Sequence, residues 1–202
     1  MRQQHGLVPC VCQRERRIQR ELSPRYQEAR LADFPPAIQE AVERGLDAPG
    51  DGLLITGPAG TGKTYLACAL VRWRLEQDKP AAFRRLAEFY KSLRESYRLN
   101  ASEVEVTRAY LEEPFLVLDD LGAGGLTDFE RRETLEVLDQ RLNHRKPTVV
   151  TTNWTLEEIG ERMDDRIASR LASYTIVALE GPDRRMKSTA RAPGRQQVKL
   201  YR

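Results

Sequence analysis

Cysteine is scarce in this chain of 202 residues. Three copies, Cys10, Cys12 and Cys68, are too few for the disulfide framework of a small secreted scaffold. Long apolar runs are missing as well: no stretch approaches the 18 or so residues that span a bilayer. The start, Met1-Arg2-Gln3-Gln4-His5, lacks the apolar core of a secretory leader. These absences point to a cytoplasmic protein in a reducing compartment, with no membrane partner. There is neither an internal repeat nor a low-complexity tract. What is present, 40% hydrophobic and 31% charged residues, suffices for one real core, because a chain of this length buries about 70% of its unfolded surface.

The formal net charge of +3 hides an uneven distribution. Residues 1–30 carry seven Arg against three Glu, and residues 181–202 carry seven Lys or Arg against one Asp. The body between them is therefore acidic. Basic ends on an acidic body suggest that the ends meet something anionic, the alternative being solvated tails. The chain divides on this basis into a basic N-terminal arm (1–30), a core (31–180) and a basic C-terminal tail (181–202).

From residue 52 to 180, short apolar runs alternate with helical patterns, the mark of a parallel sheet covered by helices. Candidate strands are Leu53 to Thr56, Ala81 to Arg84, Phe115 to Asp119, Thr148 to Thr152 and Thr175 to Leu179. Candidate helices run from Lys63 to Gln77, Leu86 to Arg98, Ser102 to Leu111, Asp128 to Asn143 and Leu156 to about Ala172, the last with a break near Asp164. Pro80, Pro114 and Pro147 each precede a strand, and Thr127 or Asp128 can cap the helix that follows. Five such units make a three-layer α/β domain.

The first strand runs into Gly57-Pro58-Ala59-Gly60-Thr61-Gly62-Lys63-Thr64 and then into a helical pattern. That is G-x-x-x-x-G-K-T in its strand, loop and helix setting. Glycines let successive amides face one concavity, and the helix N-terminus adds partial positive charge, so the phosphates of ATP can sit there. Lys63 is expected to reach the β and γ phosphates and Thr64 to hold Mg²⁺. A glycine-rich turn that binds nothing is the plain alternative, but it gives no reason for Lys followed by Thr. A second strand, Phe115-Leu116-Val117-Leu118, ends in Asp119-Asp120, delivering carboxylates at the carboxyl end of the sheet. Asp119 would hold Mg²⁺ through water, and Asp120 would orient or deprotonate the attacking water. Alone, such a pair also fits a turn at a strand end.

Taken in order, these motifs resemble the AAA+ nucleotide hydrolases, and within them the DnaC and DnaI helicase loaders and their IstB transposition-helper relatives. The resemblance rests also on Leu22-Ser23-Pro24-Arg25-Tyr26 and Leu31-Ala32-Asp33-Phe34, similar to the family's entry segment beside the adenine. Thr151-Thr152-Asn153 looks like its sensor segment, Asp165-Arg166-Ile167-Ala168-Ser169-Arg170-Leu171 like its arginine-finger segment, and Gly181-Pro182-Asp183-Arg184-Arg185 like its last arginine sensor. It implies a P-loop NTPase of the AAA+ type with a five-stranded parallel sheet in the order 5-1-4-3-2. It also implies ATP hydrolysis with Mg²⁺. Asn153 would polarise the attacking water or the γ-phosphate. Arg166, then Arg170, would act as a finger on a neighbouring subunit's ATP, which requires a homo-oligomer. Arg185, ahead of Arg184, would be the final sensor. The bland reading of Arg166 and Arg170 is a helix salt bridge to Asp165 or Glu161.

Two departures stand out. Asp120 occupies a position where many AAA+ proteins have Glu, so hydrolysis is expected to be slow. Only 22 residues follow Glu180, so no helical lid is expected. Cys10-Val11-Cys12 resembles the end of a zinc knuckle, but with only His5 nearby the tetrahedral ligand set is incomplete and zinc is not expected. Cys68 reads as a small buried residue.

Arg84, Arg85, Tyr90, Arg94, Tyr97 and Arg98 interleave cations and aromatics, a pattern that binds phosphates by charge and bases by stacking. The loader resemblance implies that this region lines a single-stranded DNA channel; an ordinary amphipathic helix is the alternative. Arg14 to Arg20 is a candidate partner-binding helix, or a solvated arm. The expectation is an ATPase that loads a replicative DNA helicase onto single-stranded DNA. Its close alternative is an IstB-like transposition helper that binds DNA and a transposase. A small metabolite kinase and an adaptor with vestigial ATPase activity are the readings from other classes.

Overall fold

Every central strand is buried on both faces, and its residues are dealt alternately to two cores. In the computed structural model, which describes residues 11–46, 52–99, 102–123, 127–183 and 197–201, the strands are β1 (Gly52–Thr56), β2 (Ala82–Arg85), β3 (Leu116–Leu121), β4 (Thr148–Thr152), β5 (Thr175–Glu180) and β6 (Gln197–Tyr201). The helices are α1 (Val11–Glu21), α2 (Pro36–Arg44), α3 (Lys63–Glu76), α4 (Leu86–Arg98), α5 (Glu103–Leu111), α6 (Asp128–Asn143), α7 (Leu156–Arg162) and α8 (Asp165–Leu171). Leu53, Ile55, Val117, Val149 and Val177 face α1, α2 and α3. Leu54, Leu116, Leu118 and Val150 face α4 to α8. A period of two in the strands thus builds three layers.

Strands β1 to β5 are parallel in the order β2-β3-β4-β1-β5, as the resemblance implied. A sixth strand, β6, pairs antiparallel with β5 at one edge. It lies in the segment read from the sequence as a tail. The expected break near Asp164 is present: α7 ends at Arg162, and the Asp164 carboxylate accepts from the Arg166 amide to start α8. Of the two candidate caps for α6, Thr127 does the work, forming a reciprocal capping box with Glu130.

The start of the described chain packs on the core. Ile18 of α1 and Leu22 just after it are buried in the same cluster as α3, and Arg14 pairs with Asp78 just past the end of α3. Arg16, Arg17 and Arg20 are exposed. Between α1 and β1, two 3-10 turns (Pro24–Tyr26 and Leu31–Asp33) and α2 complete this layer. Among the described residues, no helix is long and apolar enough to cross a membrane.

Candidate active site

At the carboxyl end of β1 the chain turns through Gly57 to Gly62 and enters α3. Gly57 has φ of 138°, and a Cβ there would meet the Leu179 carbonyl oxygen at 2.1 Å. Gly60 has φ of 77°, and its Cβ would collide with the Asp183 carboxylate at 1.8 Å. Gly57 demands glycine for conformation and for space, and Gly60 for conformation. Gly62 precedes α3 with no side-chain cap, which leaves the positive end of the helix dipole at the loop.

Lys63 is 8% exposed. Its ammonium donates to the carbonyls of Gly57 (2.7 Å) and Pro58 (2.8 Å), which fold it against the loop. The Thr61 hydroxyl donates to the Pro58 carbonyl at 2.9 Å and braces the same turn. The Thr64 hydroxyl lies 3.1 Å from Asp119 Oδ1. Thr64 and Asp119 were selected from motifs 55 residues apart, and the fold puts them in contact.

Asp119 is 3% exposed. Burial raises its pKa above the usual carboxylate value, with the hydroxyls of Thr151 and Thr64 pulling the other way. Between Leu118 and Leu121 the β3–β4 register shifts, so that three steps along β3 match two along β4. This is a β-bulge, which re-aims side chains at a strand end. At the bulge Asp120 adopts φ of 68°, in the left-handed region, and its side chain is exposed to the pocket. The two neighbouring acids therefore differ in role: one is buried beside Thr64, the other faces the cavity.

That cavity, about 530 Å³, is lined by the phosphate loop, Lys63, Thr64, Asp120, Thr151 and Asn153. Arg25, Tyr26 and Tyr65 close its other side. Tyr26 and Tyr65 meet edge to face at 6.5 Å, and Arg25 lies over the Tyr26 ring. The entry segment singled out in the sequence is thus at the mouth of the phosphate pocket. Hard oxygens from Thr64 and Asp119, side by side, are a donor set that suits Mg²⁺.

A model of the IstB-like ATP binding protein family matches residues 48–177, which is more than half of the chain. The chain belongs to that family. Among curated members and relatives, the insertion sequence ATP-binding protein y4pL of Sinorhizobium fredii is 29% identical over 151 residues, 67% of this chain and 61% of that protein. Replicative helicase loader DnaI of Bacillus subtilis is 27% identical over 171 residues, 78% of this chain and 55% of that protein. The crystal structure of the DnaC helicase loader superposes with a TM-score of 0.69 at 23% identity, covering 78% of this chain and all of that one. This IstB-like chain spans about half to three fifths of the length of these curated relatives.

Other candidate residues of this family member lie away from the pocket. Arg166 stands exposed at the start of α8 and pairs with Asp164 (2.8 Å). Arg170 pairs with Asp139 of α6. The salt bridges expected as their bland reading exist, but to Asp164 and Asp139, not to Asp165 or Glu161. Arg184 and Arg185 lie outside the described residues, as do His5 and Cys10. Cys68 is buried in α3, as expected.

The cation and aromatic set divides sharply. Tyr90 is 5% exposed, with its hydroxyl against Thr134 (2.5 Å), and burial pushes its phenol up to about 12. A ring buried on both faces cannot stack on a base, so Tyr90 is corrected to a core residue. Arg84 is half-buried and paired with Glu21 (2.7 Å) and Glu113 (3.4 Å). Arg85, Arg94, Tyr97 and Arg98 are exposed, although Arg94 pairs with Glu130.

Two pocket residues escaped the sequence reading. Tyr65 directly follows Thr64 and lay within a helical pattern with no motif to mark it. Thr151 was quoted as part of Thr151-Thr152-Asn153, but only Asn153 was given a role.

Proposed function

We propose that the protein is an ATP-hydrolysing loader that delivers a replicative DNA helicase onto single-stranded DNA. The observation that carries the reading is the convergence of Lys63, Thr64, Asp119, Asp120 and Asn153 on one pocket. Anion cradle, cation, hard-oxygen pair and exposed carboxylate are the parts that phosphoryl transfer to water requires. When bound, Mg²⁺ supplies charge neutralisation at the phosphates, and Thr64 and Asp119 are the residues that would hold it. Lys63 leaves its loop carbonyls for the phosphate oxygens. Asp120 and Asn153 orient water at the pocket wall, while Tyr26 and Tyr65 shield the base end from solvent.

Arg166 acts on the ATP of an adjacent copy. Its placement at an exposed helix start supports that role, since a finger that works in trans has to reach out of its own subunit. The exposed cations of α4 contact single-stranded DNA, and the exposed arginines of α1 belong to the partner-binding surface. The name of DnaI, a relative across 78% of this chain, favours the helicase as partner.

A second reading, a transposition helper that binds DNA and a transposase, is favoured by the family model and by y4pL. The deciding experiment mixes the protein with the replicative helicase or the transposase of its own host in ATP, and follows complex formation by gel filtration. Helicase capture, followed by helicase-dependent displacement of a strand annealed to a protein-coated single-stranded circle, supports the first reading. Capture of the transposase alone refutes it in favour of the second.

A further inference from the structure

The two acids at the end of β3 share one side chain that no motif assigns. The Thr151 hydroxyl donates to Asp119 Oδ1 at 2.7 Å and accepts from the Asp120 amide at 2.9 Å. A threonine hydroxyl carries one proton and can accept on its lone pairs, so a single group serves both neighbours without competition. Thr151 is 1% exposed and sits on β4, in the parallel ladder with Ile55 of β1. Its position is therefore fixed by the centre of the sheet, while what it holds is the bulged end of β3. The next residue works the same way: the Thr152 hydroxyl donates to the Leu121 carbonyl (2.9 Å) and accepts from the Trp154 amide (3.2 Å).

We infer that Thr151 is the positioning residue of the nucleotide site. It fixes the Asp119 carboxylate beside Thr64 and, through the Asp120 backbone, aims the second carboxylate into the pocket. The inference rests on the nucleotide reading of that pocket. A hydrogen-bonded partner behind a metal-binding carboxylate determines its orientation, and losing one typically weakens metal binding by about 10- to 100-fold. Thr151 lies in the pocket wall but is only 1% exposed, so it acts through both acids. Its removal should therefore change the metal requirement while leaving the grip on the phosphates intact.

The test compares Thr151→Val, which keeps the volume and removes the hydroxyl, with Thr151→Ser, which keeps the hydroxyl. A fluorescent ATP analogue is titrated into each folded protein, first in EDTA and then against rising Mg²⁺. Thr151→Val is expected to bind the analogue in EDTA as the unsubstituted protein does. It should need about 10- to 100-fold more Mg²⁺ to reach its high-affinity form, with a matching fall in turnover. Thr151→Ser is expected to regain most of the loss. A wild-type Mg²⁺ requirement in Thr151→Val overturns the inference. So does equal impairment in Thr151→Ser, which would assign the effect to packing of the methyl group. If Thr151→Val fails to fold, Thr151→Ala carries the same comparison. If the unsubstituted protein binds no analogue at all, the nucleotide reading falls first, a result that cannot be confused with the others.

Discussion

Asp120 shows how backbone and side-chain chemistry meet at one residue. A left-handed φ is costly for most L-residues, and aspartate is among the few that visit it readily, through local hydrogen bonding. The bulge thus gives a conformational reason for Asp at this position. Asp120→Glu is expected to lower the thermal midpoint by about 2–4 °C, the equivalent of about 1 kcal/mol in a chain of this size, without faster turnover; calorimetry and a phosphate-release assay measure the two effects. Asp120→Asn keeps the backbone and removes the charge, so hydrolysis should fall by about 100-fold while nucleotide affinity is retained. Lys63 makes the opposite case. Its ammonium is already held by two loop carbonyls, and Lys63→Ala is expected to weaken ATP binding by about 100-fold or more with little loss of stability, as titration calorimetry would read.

At the scale of elements, the most heavily bonded side chain is Arg141 of α6, which is fully buried. Its guanidinium donates to the carbonyls of Tyr110, Glu113 and Pro147 and to the Thr148 hydroxyl, tying the end of α5 and the entries to β3 and β4 into one knot. Burial lowers its pKa to about 10, yet the charge is retained at neutral pH. Arg141→Met would strand several buried carbonyls, at a cost of about 3–5 kcal/mol. Thermal melts should show a drop of about 6–15 °C, with ATP binding preserved at low temperature.

Much of this level was legible in the sequence. The five parallel strands, α3 to α6 and the break at Asp164 follow from apolar periodicity, prolines and caps. Helix α2 was missed because Pro35-Pro36 reads as a loop, although Pro36 occupies the first helical turn, where a missing N–H costs nothing. Strand β6 was missed because its pairing with β5 is tertiary and leaves no local signal. The bulge, and with it the separate roles of Asp119 and Asp120, depends on register between strands, which a single run of residues does not encode. Tyr90 was misjudged for the reverse reason: a tyrosine at helical spacing serves a core or a surface equally, and only the packing of α6 decides.

At the scale of the molecule, the proposed function adds to this pocket a cation from outside the subunit. On the proposed function that cation is Arg166 of a neighbouring copy, which has to leave Asp164 to reach ATP. Arg166→Ala should therefore bind ATP normally and fail to hydrolyse it. Mixing it with Lys63→Ala tests the geometry directly. One variant offers a loaded pocket, the other an intact arginine, and a mixture that regains phosphate release above either alone supports action across an interface. No recovery at any ratio, under conditions in which the copies associate, would refute it.

The order of the sheet has a last consequence, which concerns survival in a crowded cell more than catalysis. With β6 closing one side, β2 is the other edge, and an edge strand is a template on which foreign chains can add. Strand β2 is only four residues long and ends in Arg84 and Arg85. Arg84 is engaged by acids from α1 and from the turn before β3, which drapes charge over the open ladder. The arginine pair that resembled a DNA contact thus also puts positive charge on this edge strand, a device that discourages the addition of a foreign strand.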